Sequence, residues 1–286
     1  MGARDVQEFA IRPDPDDPRL SVSVTGIDHE GKTVATAVVT ERPLTLFLNA
    51  REIVTMMTIG DRPDLLAVGY LLNQNMLKAD DVITGVAYDD ETGTVVVRTL
   101  AETNFEDKLR KKVQTSGCAQ GTVFGDLMDA FDRTRLSGTA KVRTSWLYQL
   151  TKKINTTPSL YLKAGAIHGC ALAQGDAPLL YMEDVGRHNA VDKAVGWAFR
   201  EGLLPLGRAM LCVSGRVSFE LVQKAACAGV PVLAGVGAPS SLAVELAEAQ
   251  GITLCGFVRN GRFNVYAGPA RIAGFDRLAT GNRPAT

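Results

Sequence analysis

From about residue 160 to residue 272 the chain alternates between short apolar runs and amphipathic stretches, and this alternation limits its possible folds more than any other feature. IHGCALA and PLLYMED read as a hairpin around Gly175-Asp176. NAVDKAVGWAFREG reads as a helix, with Asn189 as its N-cap and Asp192 in its first turn. AMLCVSG then reads as a buried strand, SFELVQKAACAG as a helix and PVLAGVG as a strand. The helix SSLAVELAEAQG and the strands ITLCGFVR and RFNVYAG complete the series. Strands separated by helices of roughly 10–14 residues bury their apolar faces in an α/β layered sheet.

The preceding half has a different texture. TVATAVVT (33–40) and LTLFLNA (44–50) read as strands, and VITGVAYDDETGTVVVRTL as a hairpin turning at Asp89–Gly93. Between them, the apolar spacing of PDLLAVGYLLNQNML predicts a helix over 63–77, entered at Pro63. Residues 101–142 are polar and charged, and predict a long exposed loop or partly helical arm. SWLYQLTKKIN predicts a helix ending before Pro158. The expected organisation is a flexible segment 1–20, a β-rich domain 21–142, an α/β domain 143–272 and a tail 273–286.

Charge narrows the partners. Lys plus Arg and Asp plus Glu both number 31, so no net field draws the chain to nucleic acid or to a membrane surface. The N-terminus has no apolar signal segment, and no run approaches the ~18 apolar residues that span a bilayer. Five widely spaced cysteines suit a reducing compartment better than a disulfide framework. A cytoplasmic location is expected.

Three turns that follow strands suit anion binding: Ser214-Gly215-Arg216, the stretch Gly235–Ser241, and Phe257-Val258-Arg259-Asn260-Gly261-Arg262. Glycine admits close backbone approach, helix starts offer free N–H groups, and arginine supplies a two-pronged donor. Each turn taken alone also reads as ordinary capping. Glu183–Asn189 gathers polar groups where a strand meets a helix. His188 and the carboxylates there suit acid–base work, and an ion pair of Glu183 with Arg187 suits the same residues. Cys118, in a Gly-rich polar segment just after Lys111 and Lys112, is the candidate nucleophile. Cys170, Cys212, Cys227 and Cys255 sit in apolar runs and read as core. Metal-ligand motifs and a phosphate-binding P-loop are lacking, so no metal is expected.

The string Glu183-Asp184-Val185-Gly186-Arg187-His188-Asn189-Ala190-Val191-Asp192-Lys193 resembles the signature of the FdhD/NarQ family. The resemblance continues through Val213–Arg216, Phe219–Ala226, Ala238–Ala243, Gly256-Phe257 and Arg262–Tyr266, and more loosely through Glu41-Arg42-Pro43 and Met57–Gly60. It implies a homodimer whose C-terminal domain is similar to cytidine deaminases in fold, without their zinc ligands. It implies a sulfurtransferase that accepts persulfide sulfur from a cysteine desulfurase. That sulfur goes to a molybdenum cofactor, bis-molybdopterin guanine dinucleotide, before its insertion into formate dehydrogenase. Cys118 matches the persulfide cysteine by position, and Phe257–Arg262 the cofactor-binding segment. Ser214, Gly215, Arg216, Asp184, Arg187 and His188 are further expected contacts to this guanine nucleotide cofactor, with Asp184 facing guanine. The sequence departs from the family where Cys118 is followed by Ala119-Gln120-Gly121 in place of a second cysteine, and in Ala164-Gly165-Ala166 and Asn73-Gln74-Asn75. A cofactor-binding chaperone without sulfur chemistry is the competing reading, and a hydrolytic deaminase a third that the missing zinc ligands disfavour.

Overall fold

The computed structural model describes residues 8–100, 112–115, 118–123, 136, 140–259 and 261–274, with backbone alone for 112–115 and 118–123. A ribbon of β1 (Ser21–Ile27) and β2 (Thr33–Val39) comes first. β3 (Arg42–Leu48), β4 (Arg51–Thr58), β5 (Ile83–Asp89) and β6 (Thr94–Thr99) form a four-stranded sheet in the order β4-β3-β6-β5. The periodicity anticipates neither β1 nor β4. In β4 the reason is a bulge: Leu46 pairs with Val54 and Phe47 with Glu52, leaving Ile53 as the extra residue. The bulge breaks the period of two, so the buried positions fall at 53, 56 and 58.

α1 (Pro63–Asn73) stops four residues short of the expected end. Asn75 takes a left-handed φ of 54°, and the N–H groups of Met76 and Leu77 both bond back to Leu71 O. Met76 and Leu77 stay buried, which is why the apolar spacing runs on past the helix. β7 (Lys112–Thr115) and β8 (Cys118–Val123) pair antiparallel, with Thr115 opposite Cys118. Cys118 therefore heads a strand, where an irregular loop or arm was expected. Most of 101–139 lies outside the described residues.

The second half folds as its alternation requires. α2 (Thr144–Thr156) and the short α3 (Leu160–Ala164) lead into β9 (His168–Gln174) and β10 (Ala177–Asp184). α4 (Arg187–Arg200), β11 (Ala209–Val213), α5 (Phe219–Cys227), β12 (Val232–Gly235), α6 (Ser241–Gln250), β13 (Thr253–Arg259) and β14 (Arg262–Ala267) follow. The sheet order is β10-β9-β11-β12-β13-β14, parallel across β11, β12 and β13 and antiparallel at both flanks. The protein is a mixed α/β structure. α4 begins at Arg187, with Gly186 as N-cap, so Asn189 lies inside the helix and is not its cap.

Successive strand residues point to opposite faces, and each face has its own core. Cys170, Leu172, Leu211 and Leu254 pack toward α1, α4, α5 and α6, while Ala171, Cys212, Ala234 and Cys255 pack toward α2. Leu44, Leu46 and Val95 of the four-stranded sheet belong to the first of these clusters, so one core crosses position 142. α1 lies on α4 at Gly69 and Gly196. A Cβ on Gly69 would stand 1.8 Å from Asp192 O, and one on Gly196 2.0 Å from Leu65 O. The two backbones touch, and no larger residue fits at either position.

Candidate functional site

Strand register brings the expected turns to one edge. Val213 is level with Cys170 and Gly235, Ala234 with Cys255, and His168 with Asp184. Asp184, His168, Ser214, Val236 and Gly256 thus line the edge beyond the carboxyl ends of the parallel strands, where open α/β sheets bind ligands. The loops there are stitched together. Gly237 N–H donates to Gly215 O at 3.1 Å, Val217 N–H to Ala238 O at 3.1 Å, and Phe257 N–H to Gly237 O at 3.2 Å. These bonds join the first turn to the second, and the second to Phe257 at the start of the third. The Arg259–Arg262 turn stands farther out on the β13–β14 hairpin, about 10 Å beyond Gly256 at ~3.3 Å per residue.

That outer turn carries a cavity of about 210 Å³, lined by Phe257, Arg259, Arg262, Phe263 and Asn264. Phe257 adopts a φ of 55° at a register break in β13, a conformation L-residues hold only under constraint. The Arg259 guanidinium lies 5.8 Å from the centre of its ring. Arg259, Gly261 and Arg262 are exposed, while Val258 is fully buried among core residues and offers no side chain to a ligand. Asn260 lies outside the described residues. Aromatic and guanidinium groups around a cavity below the ~300–1,000 Å³ of drug-sized sites suit one planar anionic fragment.

Where β10 meets α4, the structure revises two sequence expectations. Asp184 is fully buried. Its Oδ2 accepts from Thr58 Oγ1 at 2.6 Å and lies 2.7 Å from Lys193 Nζ; its Oδ1 accepts from Asn189 Nδ2 at 3.0 Å and Gly186 N–H at 3.3 Å. With both oxygens engaged, it has none to turn toward guanine. Glu183, also fully buried, accepts from Leu160 N–H at 2.9 Å, Tyr161 N–H at 3.0 Å and Tyr181 Oη at 3.0 Å. It holds the start of α3 and does not pair with Arg187. Burial raises its pKa against these hydrogen bonds. Asn189 Nδ2 also donates to Met57 O at 2.8 Å, so this carboxylate cluster ties β4 to α4.

His188 and Arg187 behave differently. His188 is buried, and desolvation, with Lys224, Arg187 and His168 adding positive charge, pulls its pKa down to about 2. It is neutral at physiological pH. Lys224 is itself matched, 2.6 Å from both oxygens of Asp192, which also accepts from Asn73 Nδ2 at 2.6 Å. Arg187 is half-buried. His168, two residues before Cys170 and not picked out by the sequence as part of a site, stands beside it. Its Nδ1 is 3.4 Å from Ser214 Oγ, which accepts from Gly169 N–H at 2.9 Å. Desolvation, with Arg187 close by, lowers the His168 pKa. Its only sequence signal was its spacing of two from Cys170 on one strand, which pointed to a shared face and not to Ser214. Arg216 is exposed at the rim.

Cys170, Cys212 and Cys255 are at most 1% exposed, and burial pushes the last two thiols up to about 12. Cys227 does not belong with them, being exposed at the end of α5 because the helix turns its last residue outward. Among the described residues no group of three or more His, Cys, Asp or Glu could hold a metal ion, and no helix is long and apolar enough to cross a membrane.

The profile described as the FdhD/NarQ family matches residues 39–273. A protein of Streptomyces avermitilis named sulfur carrier protein FdhD is 41% identical over 250 residues, which is 82% of this chain and 88% of that one. A protein of the same name from Mycobacterium tuberculosis is 39% identical over 249 residues, 81% of this chain and 90% of that one. The crystal structure of a candidate formate dehydrogenase accessory protein from Desulfotalea psychrophila superposes with a TM-score of 0.72 at 25% identity, covering 88% of this chain and 99% of the other.

Proposed function

Because the chain belongs to the FdhD/NarQ family, we propose that it is a cytoplasmic, homodimeric sulfur carrier that serves a formate dehydrogenase. The observation that carries this reading is the 41% identity, across most of both chains, to a protein named for sulfur carriage. The thiolate of Cys118 attacks the terminal sulfur of a persulfide on a cysteine desulfurase. A new S–S bond forms on Cys118, and the donor cysteine leaves as thiolate. The persulfide then passes its terminal sulfur to the molybdenum of bis-molybdopterin guanine dinucleotide. The metal supplies two electrons and Cys118 leaves as thiolate. The molybdenum cofactor is cargo here. The cavity between Phe257 and Phe263, with Arg259 and Arg262 beside it, supports binding one guanine end of that cargo. No second cysteine follows within three residues of Cys118, so the transfer runs through a single thiol.

Incubation with a cysteine desulfurase and cysteine, followed by mass spectrometry of the intact protein, tests the reading. The wild type gains one sulfur atom and Cys118→Ala gains none. Equal loading of Cys118→Ala would leave the cofactor-binding chaperone in its place. Calorimetry with GDP should show binding that weakens in Arg259→Ala.

A further inference from the structure

The chain enters the fold along an edge of the six-stranded sheet. β10 ends the sheet order, and on its outer side its neighbour among the described residues is Ile11, which lies parallel to it and level with Leu180. Ala10 N–H donates to Leu179 O at 3.1 Å, and Tyr181 N–H donates to Ile11 O at 2.9 Å. Two apolar side chains then grip opposite faces of the sheet. Phe9, 6% exposed, joins the cluster on the α2 side, its ring centre 5.5 Å from that of Tyr181. Ile11 packs against the larger cluster on the other side. Farther along, Arg12 Nη1 donates to Pro158 O at 2.9 Å, Lys163 Nζ donates to Pro15 O at 2.8 Å, and Leu20 is buried with Leu160.

This segment is held less firmly than a strand of the core. Two main-chain hydrogen bonds fasten it to β10, and an edge strand of this kind is a template on which an extended segment can pair. Its seat is also incompletely matched, because Lys153 Nζ, buried 5.7 Å from the centre of the Phe9 ring, has no hydrogen-bond partner. The segment bears on α3 as well. Phe9 packs on Tyr181, whose Oη donates to Glu183, and Glu183 accepts the Leu160 and Tyr161 N–H groups that begin α3. Arg12 holds the approach to that helix and Pro15 its Lys163. We propose that residues 8–16 are a displaceable strap: they occupy in cis a strand-addition site on the edge of β10, and their release uncovers that edge and loosens α3. The site takes an extended segment with aromatic, small and aliphatic residues in succession, here Phe9-Ala10-Ile11. The strap lies ahead of residues 39–273, which the family profile matches, and acts apart from the sulfur carriage proposed above.

Hydrogen exchange of the full-length wild type, read residue by residue, tests the release. The Tyr181 amide, bonded to Ile11, should exchange roughly a hundredfold faster than that of Leu211 inside the sheet, because the strap opens without global unfolding. Equal rates overturn the strap. In full-length Phe9→Ala/Ile11→Asp the Leu160 and Tyr161 amides should exchange roughly tenfold faster than in the wild type. The Ala243 amide, capped by Ser240, should not change. Unchanged Leu160 and Tyr161 amides overturn the link to α3. A fluorescent peptide with the sequence of residues 8–16, EFAIRPDPD, should bind this variant roughly tenfold tighter than the wild type, whose own strap competes. The same peptide with Phe9→Ala should not bind. Absence of binding to the variant, or equal binding to both proteins, overturns the site. A wild-type dimer that the variant cannot form gives the site to a second copy and overturns occupancy in cis. The wild-type exchange rates decide the proposal should the variant fail to fold.

Discussion

Lys193 and Asp184 are both fully out of water, 2.7 Å apart, and Lys193 Nζ also donates to Glu183 O at 3.0 Å. A buried pair is costly to break from one side, because the remaining charge keeps its desolvation penalty without its partner. Lys193→Met should therefore cost about 3–5 kcal/mol in urea unfolding, and adding Asp184→Asn should recover part of that loss. His188 carries a second, pH-dependent consequence. Its folded pKa of about 2 lies below the ordinary 6.5, so it contributes stability above pH 6.5 that is lost progressively as the pH falls toward 2. Glu183 and Asp192, whose pKa values burial raises, act with the opposite sign, favouring the fold as pH falls toward their range. Comparison with His188→Gln cancels them. Between pH 7 and pH 5.5 the wild type should lose about 1 kcal/mol more than that variant, read from urea midpoints at the two pH values.

At the scale of elements, the contrast between capped and uncapped helices is measurable. Ser240 Oγ accepts from Ala243 N–H at 3.3 Å, so Ser240→Ala should lose about 1 kcal/mol. Ser218 Oγ makes no such bond, and Ser218→Ala should change thermal unfolding by less than half as much. The strands and helices between 168 and 267 were legible in the sequence because apolar runs and amphipathic stretches alternate between clear turn residues, even though β10 and β13 carry register breaks. β4 was hidden by its bulge at Ile53, and the end of α1 by Met76 and Leu77, which stay in the core after the helix has stopped. In the candidate site the sequence could name residues by type alone, as at Arg187, Arg259 and Arg262, and the structure sets Arg259 and Arg262 at the outer cavity. Asp184 misled because the sequence cannot show that Thr58, 126 positions away, and Lys193 already occupy it. His168 escaped for the converse reason: only strand register places it beside Ser214 and Arg187.

Across the whole molecule, the N-terminal sheet and the six-stranded layer share α1, whose backbone rests on α4 at Gly69 and Gly196. Thr58 and Met57 O, from the first half, complete the hydrogen bonding of Asp184 and Asn189 in the second. Each fully buried Leu in that shared core, among them Leu66 and Leu71, contributes about 1.5–3 kcal/mol. The connecting peptide is therefore not what keeps the halves together. A protein carrying a single engineered protease site between 124 and 135 should, once cut, still elute from gel filtration as one particle and melt in one transition. Dissociation of the two fragments in dilute buffer would contradict that. The Gly69–Gly196 contact makes the chain behave as an obligate pair of partners that happen to be covalently joined: neither half is a portable module, and a graft of the C-terminal layer onto another protein would have to bring α1 and the end of β4 with it.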